Sequence, residues 1–366
     1  MGVVRSTIMV GAFTLFSRLF GFARECLMTF CLGAGACSDA FLIALRIANT
    51  FRRIFAEGAF NASFLPRFSK ILHQNEKIEA NIVLSDVFCA LLQVLVCFCA
   101  VVIIFFPPIL TVLVSGFDVF SEKFGLTVVL GRICFSYLIL ISIASLFSGV
   151  LNTINKFALP ALSFSLLSIF TAIGILIGHC LNLSNFITVH IMAICVVLSG
   201  FAQTYLLFRS VRKHGFKISL RFNCWTHHVK SIMKNMIPGI IGAGVWQLNI
   251  LIDTCVSSYL PTGTITCVNI ADRLNQFPLG TIGIALSTAL LPSLSKFINT
   301  HEQKKAMAEL EKGLLFALFF VFFAMAWLIP LSESSIAVAF QRGMFGGEQV
   351  KIAAEALVGF VIGLPA

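Results

Sequence analysis

The chain has 366 residues, 58% of them hydrophobic and 11% charged, with a formal net charge of +10 and a mean hydropathy of +0.96. Soluble domains run at about 45–50% apolar and about 25% charged, so the composition argues against a soluble multidomain protein and for a membrane protein. With about 20 apolar residues needed per span, a chain of this length accommodates roughly a dozen.

Apolar runs between charged or turn-rich breaks predict helices over 3–31, 39–68, 82–106, 126–151, 159–181 and 186–208. A long polar link follows, then runs over 236–258, 265–294, 313–340 and 350–366, which makes about ten transmembrane helices. The first run contains Arg18, Arg24 and Glu25 and no clear small-residue cleavage site, so it reads as a retained helix rather than a signal peptide. None of the twelve cysteines forms a CxxC pair or a zinc-site spacing. Cys89, Cys97, Cys99, Cys134 and Cys195 lie inside apolar runs and read as small packing residues.

Alternating these spans across a bilayer places Arg5, Lys70, Lys77, Lys156, Arg209, Arg212, Lys213, Lys217, Arg221, Lys230, Lys234, Lys296, Lys304, Lys305 and Lys312 on one side. Only Lys123 and Arg342 fall in the opposite loops. The positive-inside rule puts the crowded side, and the N-terminus with it, in the cytoplasm. The basic charge is thereby explained without nucleic acid as a partner. Three regions follow: an N-terminal lobe over 1–210, a basic cytoplasmic interfacial linker over 211–235 and a partial C-terminal lobe over 236–366. The linker interleaves basic residues with Phe216, Ile218, Leu220, Phe222 and Trp225, a pattern suited to the headgroups of membrane phospholipids.

An internal repeat supports the two lobes. Leu65-Pro66-Arg67-Phe68-Ser69-Lys70 matches Leu291-Pro292-Ser293-Leu294-Ser295-Lys296 at a constant offset, which also pairs Ala59 with Ala285, Phe51 with Phe277 and Asn49 with Asn275. The copies are six spans apart and enter the membrane in the same direction, as in parallel transporter halves that rock around a midplane site. The second half shows four spans where six are expected, so the second lobe reads as incomplete.

Polar residues interrupt these helices in stripes. Arg18 and Glu25 share a face of the first helix, with Arg24 alongside; Arg46, Asn49, Arg53 and Glu57 share a face of the second, with Arg52 beside it and Asp39 near its outer end. A charge at a helix centre costs about 2.5–3.5 kcal/mol on insertion scales, so Arg18, Arg24, Arg46 and Arg52 are expected to face a water-filled cavity rather than lipid, whereas Arg53 and Glu57, near the cytoplasmic end, suit pairing with each other or reaching the surface. Guanidinium forks suit phosphate oxygens, which points to an anionic substrate. The eighth helix repeats the pattern with Asp272, Arg273, Asn275 and Gln276, while Asp253 stands alone in the seventh as a candidate proton or cation site. His179 and His190 read as ordinary interfacial residues. No His/Asp/Glu cluster, nucleophile–base spacing or metal motif stands out, so no enzyme activity, catalytic residue, metal or organic cofactor is expected.

The run Ser17-Arg18-Leu19-Phe20-Gly21-Phe22-Ala23-Arg24-Glu25, then Gly33-Ala34-Gly35 with Asp39-Ala40-Phe41, then Asn49 and Arg52-Arg53-Ile54-Phe55-Ala56-Glu57-Gly58-Ala59-Phe60, resembles the N-terminal signature of the MurJ/MviN lipid II flippases. Ala271-Asp272-Arg273-Leu274, Phe277-Pro278 and Leu291-Pro292 resemble that family's eighth helix. The resemblance implies an all-α polytopic fold of the multidrug/oligosaccharidyl-lipid/polysaccharide flippase superfamily, with two pseudo-symmetric helical lobes around a central cavity. It implies a bacterial inner-membrane protein that moves lipid II between leaflets, with peptidoglycan-synthesis proteins as partners. The family's substrate positions map onto Ser17, Arg18, Arg24, Asp39, Asn49, Arg52, Asp272 and Arg273, and Gln276 stands where the family commonly has a glutamate. Asp253 matches an aspartate of a sodium site in some members. The alternatives are an exporter of drugs or polysaccharide-lipid precursors from the same superfamily, and an inactive truncated remnant.

Overall fold

The computed structural model describes residues 2–54, 60–74, 77–221, 224–299 and 302–365. Fourteen helices and no strand occur among them: α1 (Gly2–Leu32), α2 (Ala36–Arg52), α3 (Phe60–His73), α4 (Lys77–Ile104), α5 (Phe106–Leu113), α6 (Glu122–Thr153), α7 (Ala158–Ser163), α8 (Ser165–Cys180), α9 (Asn185–Lys213), α10 (His227–Ser258), α11 (Thr264–Asn299), α12 (Gln303–Leu328), α13 (Ser332–Phe340) and α14 (Gly347–Ile362). Two compact units form, one from Met1–Cys31 with Ala36–Pro261, the other from Leu32–Gly35 with Thr262–Ala366.

Helix α6 is the hub of the first unit, packed by α2, α4 and α9, with α8 against α9. The Ser121 hydroxyl opens α6 by accepting from the Phe124 N–H at 3.2 Å, which satisfies one of the amide donors that the first helical turn leaves free. Phe135, Tyr137, Leu138 and Phe147 of α6 are buried together with Phe41 and Ile43 of α2 and Val189, Met192 and Val196 of α9. Lipid tails are as apolar as leucine, so helices in a bilayer associate through close packing and interhelical hydrogen bonds rather than through water exclusion. Both devices are present. A Cβ added to Gly178 would stand 2.4 Å from the Thr188 hydroxyl, and one on Gly174 3.1 Å from the Cys195 sulfur, so this small-xxx-small pair lets α8 and α9 approach. Thr204 of α9 donates to the Leu140 carbonyl of α6 at 2.8 Å.

The segment after α9 is laid along α4. Asn81, Ser85, Cys89 and Gln93 recur every fourth residue and so line one face of that helix. Their side chains accept from the Lys217, Ser219 and Arg221 amides at 3.0, 3.1 and 3.3 Å and from the Trp225 indole at 3.2 Å. Four helical residues rise about 6 Å and two extended ones about 6.6 Å, so the two registers keep step. Arg221 adds an ion pair to buried Asp86 at 3.8 Å. The polar face of α4 is thus engaged by linker amides at Asn81, Ser85 and Cys89 and by linker side chains at Gln93 and Asp86.

In the second unit α11 packs against α12 and α14, and α13 against α14. Gly33 and Gly263 both have positive φ, +64° and +96°, and a Cβ on either would come within 2.7–2.8 Å of a carbonyl oxygen, that of Met344 or Ala34. Glycine is required at both for conformation and for space.

Among the described residues five segments are long and apolar enough to cross a membrane: Lys77–Ile104, Glu122–Thr153, Ala158–Cys180 (α7 with α8), Asn185–Lys213 and Gln303–Leu328. The two parts of α10, bent by 46°, bring the number to six. Bends of this size arise at prolines and glycines, and α10 contains Pro238, Gly242 and Gly244. The ten spans expected are therefore not all established by length and composition. Helices α2 and α14, with 17 and 16 residues, rise only about 24–26 Å against a hydrocarbon core of about 30 Å. The single span expected over 39–68 is described as α2 and α3, with 55–59, and Glu57 among them, outside the described residues. Phe222 of the linker also lies outside them.

Candidate functional site

In the first unit the expected polar residues lie on α1 and α2. Arg18 is exposed and Ser17 half-buried. Arg24 and Glu25 are 5% and 0% exposed and form an ion pair, although neighbours on a helix do not normally face one another. The bond uses one Nη of Arg24, while its Nε is buried with no hydrogen-bond partner among the described residues. A guanidinium has five donor hydrogens, so one carboxylate contact does not exhaust it.

On α2, Arg52 Nε donates to the Asn49 amide oxygen at 3.1 Å. Arg46, on the same stripe, donates through Nη1 to the Thr254 hydroxyl of α10 at 3.1 Å. Asp39 lies in the first turn of α2, where the helix dipole favours an anion. It is fully buried, and Lys123 Nζ donates to its Oδ2 at 2.8 Å. The same ammonium lies 4.2 Å from the centre of the Phe117 ring. The lysine expected in an outer loop is thus the partner of a residue expected to meet substrate.

Asp253 is exposed on α10, beside the Thr254 that receives Arg46. No group of three or more His, Cys, Asp or Glu residues is placed to hold a metal ion among the described residues. All twelve cysteines are free thiols. His190 contacts the Phe186 carbonyl at 2.7 Å, and the His179 ring lies 5.8 Å from that of Phe30.

In the second unit Asp272, Arg273 and Gln276 fall within two turns of α11, and Gln276 Nε2 donates to Asp272 Oδ2 at 2.7 Å. The glutamine is therefore a partner for Asp272, a role that a glutamate at this position cannot take while ionised. Asn275 is buried with its Oδ1 unpartnered among the described residues.

Sequence reasoning did not find the Asp39–Lys123 pair, the Arg46–Thr254 bond or the linker ladder. The first two join residues 84 and 208 positions apart, and nothing local links them. The ladder did leave a signal, the four-residue recurrence of Asn81, Ser85, Cys89 and Gln93 in a predominantly apolar helix.

A model of the family described as Lipid II flippase MurJ matches residues 28–366. A probable lipid II flippase MurJ of Rhizobium tropici is 35% identical over 367 residues, covering all of this chain and 69% of that protein. A lipid II flippase MurJ of Burkholderia cenocepacia is 32% identical, with 100% and 70% covered. Among solved structures, a lipid II flippase MurJ in an inward closed conformation superposes with a TM-score of 0.83 at 25% identity, over 98% of this chain and 73% of that one. An inward-facing multidrug resistance MATE family transporter of the MOP superfamily superposes at 0.72 with 12% identity, over 98% and 82%, which shows a shared fold. Helices of the expected kind, the polar residues of α1, α2 and α11, and these matches over the whole chain agree: the protein is a membrane protein of the lipid II flippase MurJ family.

Proposed function

We propose that the chain translocates lipid II, the undecaprenyl-diphosphate-linked peptidoglycan precursor, from the cytoplasmic to the periplasmic leaflet by alternating access. The observation that carries this reading is the similarity to lipid II flippases over the whole of this chain, which carries Arg18, Arg24 and Arg52 on its first two helices. Moving a diphosphate through hydrocarbon is opposed by its desolvation. Arginine forks replace water around the phosphate oxygens and neutralise the charge, so the headgroup moves without entering lipid. No bond is made or broken, and the protein acts as a transporter rather than an enzyme.

The proposed contacts are Ser17, Arg18, Arg24, Asn49, Arg52, Asp272, Arg273 and Gln276, with Asp39 acting in exchange with Lys123. The partly unused guanidinium of Arg24 supports its place in this set. Asp253 is proposed as the coupling group for a sodium ion or proton. The location is a bacterial inner membrane with the N-terminus cytoplasmic, supported by the asymmetry of lysine and arginine between loops. Membrane phospholipids and peptidoglycan-synthesis proteins are the proposed partners beyond lipid II.

Complementation of flippase-depleted cells tests the proposal, with membrane levels of each variant checked by immunoblot. Arg18→Ala, Arg24→Ala and Arg273→Ala should each abolish rescue. Full rescue by all three variants overturns the assignment in favour of a superfamily exporter that does not depend on an arginine-lined site.

A further inference from the structure

A groove of about 260 Å³ opens between α4, α6 and α9, lined by Phe88, Leu140, Phe147, Thr204, Tyr205 and Phe208 among others. No charged side chain lines it, and the Thr204 hydroxyl is already committed to the Leu140 carbonyl. Its aromatic floor is continuous: the ring centres of Phe88 and Phe147 are 5.9 Å apart and those of Phe147 and Phe208 5.7 Å. Apart from the Tyr205 hydroxyl at its exposed edge, the lining is hydrocarbon and aromatic carbon, which suits an acyl chain.

What distinguishes this groove from an ordinary lipid-facing surface is the charge at one end. Residues four apart on a helix stack on one face, and two such rows of α9 leave the groove together. One runs Thr204, Phe208, Arg212 and the other Tyr205, Arg209, Lys213. The Arg212 guanidinium lies 5.6 Å from the centre of the Phe208 ring, so groove and basic end meet directly. Helix α9 has no acidic residue. On α4, Asp86 is paired with Arg221 and half-buried Glu79 has an interaction of its own. Among the described residues no carboxylate pairs with exposed Arg209, Arg212 or Lys213. The C-terminus of α9 contributes about half a negative charge, which three cations outweigh.

We propose that this groove is a binding site for an anionic phospholipid, with one acyl chain along Phe88, Phe147 and Phe208 and the headgroup phosphate on Arg209 and Arg212. The site belongs to the first unit alone and does not depend on the proposed transport activity. Headgroup charge, not chain burial, sets its selectivity, because any diacyl lipid can supply the chain.

Native mass spectrometry of the full chain in detergent tests this, with equimolar phosphatidylglycerol and phosphatidylcholine of identical chains. The wild type should retain phosphatidylglycerol in excess, and that preference should fall about fivefold for each arginine removed in Arg209→Gln and Arg212→Gln. Both residues are exposed, so the variants keep the fold, and circular dichroism verifies it. Phosphatidylglycerol with a photoreactive acyl chain should crosslink to peptides bearing Phe88, Phe147 or Tyr205, and excess glycerol 3-phosphate should not compete. Equal retention of both lipids by the wild type overturns the proposal. So does an undiminished preference in the double variant, displacement by glycerol 3-phosphate, or crosslinking confined to other helices.

Discussion

Removing Lys123 isolates Asp39, and Lys123→Met keeps the length and apolar stem of the side chain while deleting its charge. The pair is largely dry, with 12% of the lysine side chain and none of the aspartate exposed. At 2.8 Å and an effective dielectric of about 20, the gross attraction is about 6 kcal/mol, most of it offset by desolvating two ions. Deleting one partner is costlier than the net worth of the pair, because the remaining carboxylate stays buried; such losses run at about 3–5 kcal/mol. Asp39 has a further interaction and sits at a helix N-terminus, so the lower figure applies, about 3 kcal/mol. Unfolding by SDS titration in mixed micelles measures it. Asp39→Asn in the Lys123→Met background should recover much of the loss, since a neutral amide needs no counter-ion. A Lys123→Met protein within about 0.5 kcal/mol of wild type, or losses that simply add in the double variant, would show that the pair is not coupled.

Gly178→Leu should separate α8 from α9, because even a Cβ meets Thr188 at 2.4 Å; a loss of about 1–3 kcal/mol is expected in the same titration. Thr254→Val removes one partner of Arg46, which has a further interaction, and should cost about 1.5 kcal/mol, the low end for a bond to a charged group, whereas Thr254→Ser should be nearly neutral. Burial first, and the neighbouring Cys89 thiol second, raise the Cys224 thiol above its ordinary pKa. Its alkylation should therefore be slow at neutral pH and accelerate as pH rises. Gln93→Ala, which removes the acceptor for both Cys224 and Trp225, should speed that alkylation; an unchanged rate would mean that the linker is not held by α4. Gln276→Glu places a second carboxylate four residues from Asp272 and removes the bond between them. It should lower the thermal midpoint slightly, and more at low ionic strength than at high.

Membrane class and family were legible in the sequence because both are written in local patterns. Apolar runs of spanning length need no partner to be recognised, and the motif from Ser17 to Glu25 survives as a contiguous string. The alternation of basic loops is likewise a property of the chain read in order. The stripes of arginine on α1 and α2 followed from helical periodicity alone, since residues three, four and seven apart share a face whatever surrounds them.

Tertiary structure decided which of those charges are engaged. Whether Asp39 is free or held depends on α6 returning to α2 across 84 residues, and Coulomb attraction acts through space, not along the chain. The linker shows the same division. Its basic and aromatic composition suggested a membrane surface, but only the packed structure set its amides against Asn81, Ser85 and Cys89 of α4 and the Trp225 indole against Gln93. A hydrogen bond requires partners within about 3 Å, and no one-dimensional pattern specifies which distant segment will be there.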